Sequence, residues 1–135
     1  MSNLPIFDVA GSAMTAQSVR LSTIASNLAN ADSVSGDPNA VFRAKQPVFT
    51  TEAVAGNPAL AGVRVTEVGE STAAPLKRYE PGHPLADGQG YVYAPDIDPV
   101  AQMVDLISAS RSYQANVEVF NSAKELAMAT LNMGR

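Results

Sequence analysis

The 135-residue chain contains no cysteine, and its charged fraction is low. Without cysteine it has neither a disulfide framework nor thiolate chemistry. Asp, Glu, Lys and Arg make up 16% of the residues, against roughly 25% in typical soluble domains. Ala, Ser, Thr, Asn and Gln fill the difference, and surfaces of this kind are buried at low desolvation cost. The composition therefore favours a chain that forms subunit interfaces.

Other absences exclude whole classes of function. The net charge is −4 and no basic run is present, so we expect no nucleic-acid partner. No segment approaches the roughly 20 apolar residues of a membrane span. No Lys or Arg precedes Arg20, so the N-terminus does not resemble a secretory signal. If the chain works outside the cytoplasm, we expect export without a cleaved signal peptide.

The last quarter of the chain, residues 98–135, predicts one long helix. Asp98 suits the N-cap and Pro99 the first helical position, and neither glycine nor proline follows before Gly134. At 1.5 Å per residue this helix is on the order of 50 Å long, more than a domain of this size can cover. The three-four spacing of a heptad seam connects Met103, Leu106, Ser110, Tyr113, Val117, Phe120, Lys124, Ala127 and Leu131. A second apolar line, which indicates contacts beyond a single partner helix, comprises Val119, Ala123, Leu126, Thr130 and Met133.

Residues 5–31 predict a second helix with a cleaner seam. Its members are Phe7, Ala10, Met14, Gln17, Leu21, Ile24, Leu28 and Ala31. The opposite face carries small uncharged residues, and Arg20 is the only charge between Val9 and Ala31. This is either an ordinary helix of low solubility or one with both faces packed in an assembly, and we prefer the assembly. Gln17, Ser110 and Lys124 either set the helix register or face solvent.

The middle of the chain has a different composition. Seven of the nine prolines and seven of the nine glycines lie in residues 36–98, between short β-like runs at 41–44, 47–54, 62–68, 76–79 and 90–93. We predict a mainly α fold with a small β insert, in which the terminal helices pair as an antiparallel coiled coil. The predicted divisions are helix 1–32, linker, arm or hairpin 33–61, small antiparallel β unit 62–97 and helix 98–135. The predicted intrachain seam consists of Phe7, Met14, Leu21, Ile24, Leu28, Met103, Leu106, Tyr113, Val117, Phe120 and Leu131.

Residues that could support catalysis or metal binding are few. The only histidine, His83, lies in a Pro-Gly-His-Pro turn. Asp96, Asp98 and Asp87 lack the glycine and glutamate of a calcium loop, and capping accounts for Asp98. The glycines at 88 and 90 precede a strand, whereas phosphate-binding loops follow one. We therefore predict no enzyme activity, no metal site and no cofactor.

Four stretches resemble the flagellar axial proteins that build the bacterial rod and hook. SNLANAD at residues 26–32 is similar to the signature that closes their N-terminal helix, and SRSYQANV at 110–117 to the one in their C-terminal helix. FRAKQPVF at 42–49, and YEPGHPLAD at 79–87 followed by GYV at 90–92, resemble the proximal-rod members. The stretches occur in the family's order along nearly the whole chain.

The resemblance implies a structural subunit of the basal-body rod, the helical shaft that transmits motor torque across the periplasm for motility. Expected partners are further copies, other proximal and distal rod subunits, a basal-body adaptor and the flagellar type III export apparatus. The subunit-interface residues expected on this basis are Ser26, Asn27, Asn30, Arg111, Tyr113, Asn116, Val119, Leu126 and Met133. Gln102 and Gln114 replace expected glutamates and Asp96 an expected asparagine, which puts ion pairs there in doubt.

Two alternatives remain open at this point. One is another rod or hook component, although longer relatives are expected to carry a larger middle domain. The other belongs to a different class, a soluble coiled-coil adaptor or export chaperone that works in the cytoplasm.

Overall fold

The computed structural model describes residues 5–134 and contains two long helices and two small antiparallel sheets. The elements are α1 (Pro5–Ala29), β1 (Lys45–Val54), β2 (Asn57–Glu70), β3 (Leu76–Tyr79), β4 (Tyr91–Ala94) and α2 (Pro99–Met133). The predicted mainly helical chain with a small β insert is confirmed at this level. No helix within the described range is long and apolar enough to cross a bilayer.

The start of α2 follows from local chemistry. Asp98 Oδ1 accepts a hydrogen bond from the Val100 backbone N–H at 2.9 Å, and Pro99 occupies the first turn. The helix then runs for 35 residues, about 50 Å at 1.5 Å per residue. α1 has 25 residues and is shorter by about 15 Å. The shorter helix therefore leaves part of α2 without a helical neighbour.

The two helices contact each other through three kinds of interaction. The rings of Phe7 and Phe120 meet edge to face with 4.8 Å between their centroids. Arg20 Nη2 lies 3.4 Å from Asp105 Oδ1. Asn27 Nδ2 donates a hydrogen bond to Gln102 Oε1 at 3.1 Å.

The strands β1 and β2 form one antiparallel hairpin that lies against α1. The turn between them includes Gly56, whose φ of +85° favours glycine over residues with a Cβ. The predicted boundary between residues 61 and 62 falls inside β2, so the segments 33–61 and 62–97 share this hairpin. Gly62, predicted as the first residue of a β-like run at 62–68, pairs with Glu52 inside β2.

A second, separate sheet pairs β3 with β4, so the β insert consists of two sheets. The predicted strand at 41–44 is irregular. Instead of strand pairing, this segment is fixed by Arg43, whose Nη1 donates to the Ala73 carbonyl oxygen at 3.1 Å. In the loop before β4, the backbone N–H of Tyr91 donates to Asp87 and lowers the pKa of its carboxyl group.

Candidate assembly surface

Asn27 joins three elements of the fold at a buried position. It is only 3% exposed. Its Oδ1 accepts from the Lys45 backbone N–H at 2.7 Å, while Nδ2 donates to the Lys45 carbonyl oxygen at 2.9 Å and to Gln102 Oε1 at 3.1 Å. The amide therefore pairs with the backbone of β1 as a neighbouring strand would. Because each of its polar atoms has a partner, this buried contact fixes α1, β1 and α2 relative to one another.

The structure therefore places Asn27 inside the subunit, although the resemblance predicted it at the subunit interface. Two other asparagines predicted there bond to carbonyl oxygens four residues earlier in the chain. Asn30 Nδ2 donates to the Ser26 carbonyl oxygen and Asn116 Nδ2 to that of Ser112, both at 2.8 Å. Helical spacing carries no signal that separates Asn27 from these residues, because its partners at 45 and 102 are distant in sequence.

A second contact between the hairpin and α1 lies near the start of that helix. Ser12 Oγ accepts from the Val63 backbone N–H at 3.1 Å and donates to the Val9 carbonyl oxygen at 2.8 Å. A Cβ atom on Gly62 would lie 2.7 Å from Ser12 Oγ. Gly62 therefore allows the close approach of the hairpin, a role that the sequence reading missed.

Between the contacts of Ser12 and Asn27, the packing of the hairpin against α1 is less complete. Gln17 Oε1 is buried and has no hydrogen-bond partner among the described residues. It lies beside a cavity lined by Ala13, Ala16, Phe49 and Val63. Gln17 was predicted either to set the coiled-coil register or to face solvent. The Gln17 oxygen is thus buried without a partner among the described residues. A role of Gln17 in setting the helix register stays a prediction.

The inner face of α2 matches the predicted seam only in part. Leu106, Phe120 and Ala127 are half-buried and Tyr113 is 36% exposed, whereas the buried residues of α2 are Ala109 and Ala123. Val117, predicted on the seam, is half-buried. Met103 and Leu131, also predicted there, are 51% and 73% exposed. Alanine occupies these positions because closely packed helices leave room only for small side chains. On α1, the predicted seam residues Phe7, Met14, Leu21, Ile24 and Leu28 are all at least half-buried.

The outer surfaces of the two helices are apolar or uncharged over much of their length. The exposed positions of α1 between residues 15 and 29 are all small, at Thr15, Ser18, Ser22, Ala25 and Ala29. The large exposed apolar side chains of α2 are Val100, Met103, Val104, Ile107, Tyr113, Val119, Leu126, Met128, Leu131 and Met133. Four predicted interface residues, Tyr113, Val119, Leu126 and Met133, belong to this set, and Arg111 is exposed. Extended exposed apolar surface of this kind marks an interaction site.

The residues considered for catalysis have structural partners. His83 Nδ1 accepts from the Leu85 backbone N–H at 3.0 Å, Asp87 holds the loop before β4, and Asp98 caps α2. Within residues 5–134 no three His, Asp or Glu side chains are grouped to hold a metal ion.

Comparison with known families agrees with the two-helix layout. The family described as "Flagella basal body rod protein" matches residues 7–36, which include most of α1. The family described as "Flagellar basal body rod FlgEFG protein C-terminal" matches residues 89–133, which include β4 and α2. Both matches indicate the class of flagellar basal-body rod proteins.

Comparison with individual proteins indicates which family within this class the chain resembles. Over its full length the chain is 56% identical to the whole of the flagellar basal-body rod protein FlgC of Escherichia coli O6:H1. It is 54% identical, again over both full lengths, to that of Salmonella typhimurium. The FlgC protein of Aquifex aeolicus is 42% identical, with 88% of this chain and 87% of the relative covered. The chain belongs to the FlgC family of flagellar basal-body rod proteins.

Proposed function

We propose that the chain is a non-enzymatic subunit that polymerises, with copies of itself and other rod subunits, into the helical shaft of the flagellar basal body. The observation that carries this proposal is the exposed, uncharged apolar surface of α2 in a member of a rod-protein family. Side chains such as Leu126 and Met133 contribute little to the free subunit and gain from burial against a neighbour. A shaft of this kind transmits motor torque through many such contacts at once.

We infer further that α1 and α2 pair as an antiparallel coiled coil. Contacts that support this are Phe7 with Phe120, Arg20 with Asp105 and Asn27 with Gln102. Residue numbers fall along α2 as they rise along α1, as an antiparallel pair requires. Residues 1–32 and 98–135 would together form the polymerising domain, from which the β insert projects.

The place of work that fits this role is the periplasmic part of the rod. We propose that the chain reaches it through the flagellar type III export apparatus, without a cleaved signal peptide. Adjacent proximal and distal rod subunits and a basal-body adaptor would be its partners. Membership of the FlgC family and the exposed helix surfaces support this placement.

Complementation of a host strain that lacks its own FlgC tests the proposal. We expect the expressed chain to restore swimming and to co-purify with detergent-extracted basal bodies. A matched strain that carries the empty vector controls for background. Recovery of the chain only from cytosol, with no restored swimming, would overturn the rod assignment and favour a cytoplasmic adaptor or chaperone.

A further inference from the structure

The hairpin of β1 and β2 is attached firmly to the helices at its base. Asn27, which is 3% exposed, binds the backbone N–H of Lys45 at 2.7 Å and its carbonyl oxygen at 2.9 Å. The Ser71 backbone N–H donates to the Ala44 carbonyl oxygen at 2.8 Å, which ties the two ends of the hairpin together. Among the described helices and strands, β1 and β2 contact only each other and α1. Moving the hairpin away from α1 would therefore separate no other pair of these elements.

The second attachment of the hairpin is weaker and lies far from the first. Between residues 5 and 134, the only other hydrogen bond from the hairpin to α1 joins the Val63 backbone N–H to Ser12 Oγ, at 3.1 Å. Val63 pairs with Thr51, six residues beyond Lys45, so at about 3.4 Å per residue it lies roughly 20 Å from the base. Ser12 is only half-buried. The hairpin is thus held by several buried contacts at one end and by one neutral hydrogen bond at the other.

Between the two attachments the hairpin packs incompletely on α1. The cavity there has a volume of about 230 Å³ and is lined by Ala13, Ala16, Gln17, Phe49 and Val63. Gln17 Oε1 is itself buried and has no hydrogen-bond partner among the described residues. A second cavity, of about 320 Å³, separates the start of α1 from the tip half of the hairpin. A buried acceptor without a partner disfavours the closed arrangement, because the same oxygen is hydrogen-bonded once water reaches it.

The hairpin is connected within itself along its whole length, since the two strands pair from base to tip. Arg64 Nη1 lies 3.6 Å from Glu52 Oε1 on the opposite strand. Thr66 Oγ1 donates to the Val48 carbonyl oxygen at 3.2 Å, again across the strands. These contacts join β1 to β2 and not to α1, so a movement of the hairpin as one body breaks none of them.

We propose that the hairpin, residues 45–70, is a hinged flap that swings away from α1 about Asn27 while the helix pair stays intact, and that Gln17 favours the open state. Opening breaks the hydrogen bond between Ser12 and Val63, hydrates Gln17 Oε1 and uncovers the apolar surface beneath the hairpin. The cost of the broken hydrogen bond is offset in part by the hydration of the glutamine oxygen. The inference concerns the single subunit and does not depend on the role proposed for it above.

Hydrogen exchange of backbone amides, followed by NMR on the full chain, tests the hinge. Each amide exchanges through the least costly opening that frees it. The Val63 N–H is freed when the flap swings, whereas the Lys45 N–H is freed only when the contact with Asn27 breaks. After correction for intrinsic rates, we expect Val63 to exchange at least about tenfold faster than Lys45, because one neutral hydrogen bond is easier to open than a buried amide with all its partners.

Arg64 provides a matched control one residue along β2. Successive N–H groups of a strand point to opposite sides, so the Arg64 N–H is directed at Thr50 on β1 while that of Val63 is directed at Ser12. Arg64 should therefore exchange at least about tenfold more slowly than Val63. Equal protection of Val63 and Lys45 would overturn the proposal, since the hairpin would then leave α1 only when the hinge breaks. Equal rates at Val63 and Arg64 would also overturn it, because the hairpin would then unravel and not swing.

The contribution of Gln17 is tested by a single substitution. Gln17→Met keeps the length and helix propensity of the side chain and removes the buried oxygen. We expect Val63 exchange to slow by about tenfold, because the closed state no longer buries an unpaired acceptor. Gln114→Met makes the same change at an exposed position of α2 and should leave the Val63 rate unaltered. A Val63 rate that is unchanged or raised in Gln17→Met would overturn the role of Gln17 in opening the flap.

Discussion

The seam between the helices and the exposed last segment of α2, residues 126–133, are built from different kinds of residue. We call this last segment the overhang. The inner face of α2 buries Ala109 and Ala123, and its polar contact joins Gln102 to Asn27. The overhang instead displays Leu126 and Leu131 to solvent. Small residues bring helices close but bury little area, whereas large apolar residues gain most from a partner. Many of the large apolar side chains of α2 are therefore left exposed in the single subunit.

The largest expected effect on stability separates Asn27 from Asn30. Asn27 forms the junction of α1, β1 and α2 through its bonds to Lys45 and Gln102. Asn27→Ala removes three hydrogen bonds and leaves the Lys45 backbone groups without their partner. We expect a loss of about 3 kcal/mol in the free energy of unfolding, measured by urea denaturation. Asn30→Ala is the control, because the Asn30 side chain, just past the end of α1, donates only to the Ser26 carbonyl oxygen. Equal losses in the two variants would show that the junction does not fix the three elements.

The close approach of hairpin and helix is tested by adding one methyl group. Gly62→Ala places a Cβ within 2.7 Å of Ser12 Oγ, and we expect it to destabilise the subunit by about 2 kcal/mol. The cost should fall when Ser12→Ala is already present, so the two changes should be non-additive. Gly11→Ala is the opposite case, since its Cβ meets nothing within 4 Å. There we expect a gain of about 0.5–1 kcal/mol from helix propensity.

The aromatic contact at the last paired turn of the helices should have a smaller effect. A double-mutant cycle with Phe7→Leu and Phe120→Leu isolates the interaction energy between the two rings, because leucine keeps a large apolar side chain at each position. We expect a coupling energy of about 1 kcal/mol for the edge-to-face pair, measured by urea denaturation. A coupling near zero would mean that the two rings are not packed together in the free subunit.

The smallest effect on stability is expected in the overhang. Leu126→Gln and Leu131→Gln keep good helix formers and remove exposed apolar area. We expect each to change the free energy of unfolding by less than about 0.5 kcal/mol. Self-association, followed by analytical ultracentrifugation, should nevertheless fall in both. A large loss of stability would mean that the overhang belongs to the core, and the contrast with the seam would be lost.

The features predicted correctly from the sequence are those that depend on residues close together in the chain. Asp98 and Pro99 located the start of α2, since capping uses only the next few backbone groups. β3 was predicted with its bounds correct, at 76–79. The overhang residues Leu126 and Met133 belonged to the second apolar line that indicated a further partner.

Features that depend on contacts between residues distant in the chain could not be predicted from the sequence. Periodicity favoured the large Met103 and Leu131 for the seam, because a pattern weighs hydrophobicity and not the space between helices. The close approach of Gly62 to Ser12 was not predicted, since the two residues lie 50 positions apart in the sequence. The partners of Asn27 lie 18 and 75 residues away, so nothing local distinguished it from Asn30.

The order of the helix contacts along the chain also has a consequence for folding. Asn27 and Gln102 are 75 residues apart and Arg20 and Asp105 are 85 apart, while Phe7 and Phe120 are separated by 113 (120 minus 7). Closing a longer loop costs more entropy, and each contact already made shortens the loop left to close. The helix pair should therefore form first at Asn27 and Gln102 and then at Arg20 and Asp105. The contact between Phe7 and Phe120 should form last. The overhang lies just beyond that end, so this exposed apolar surface is completed only after the rest of the subunit has folded.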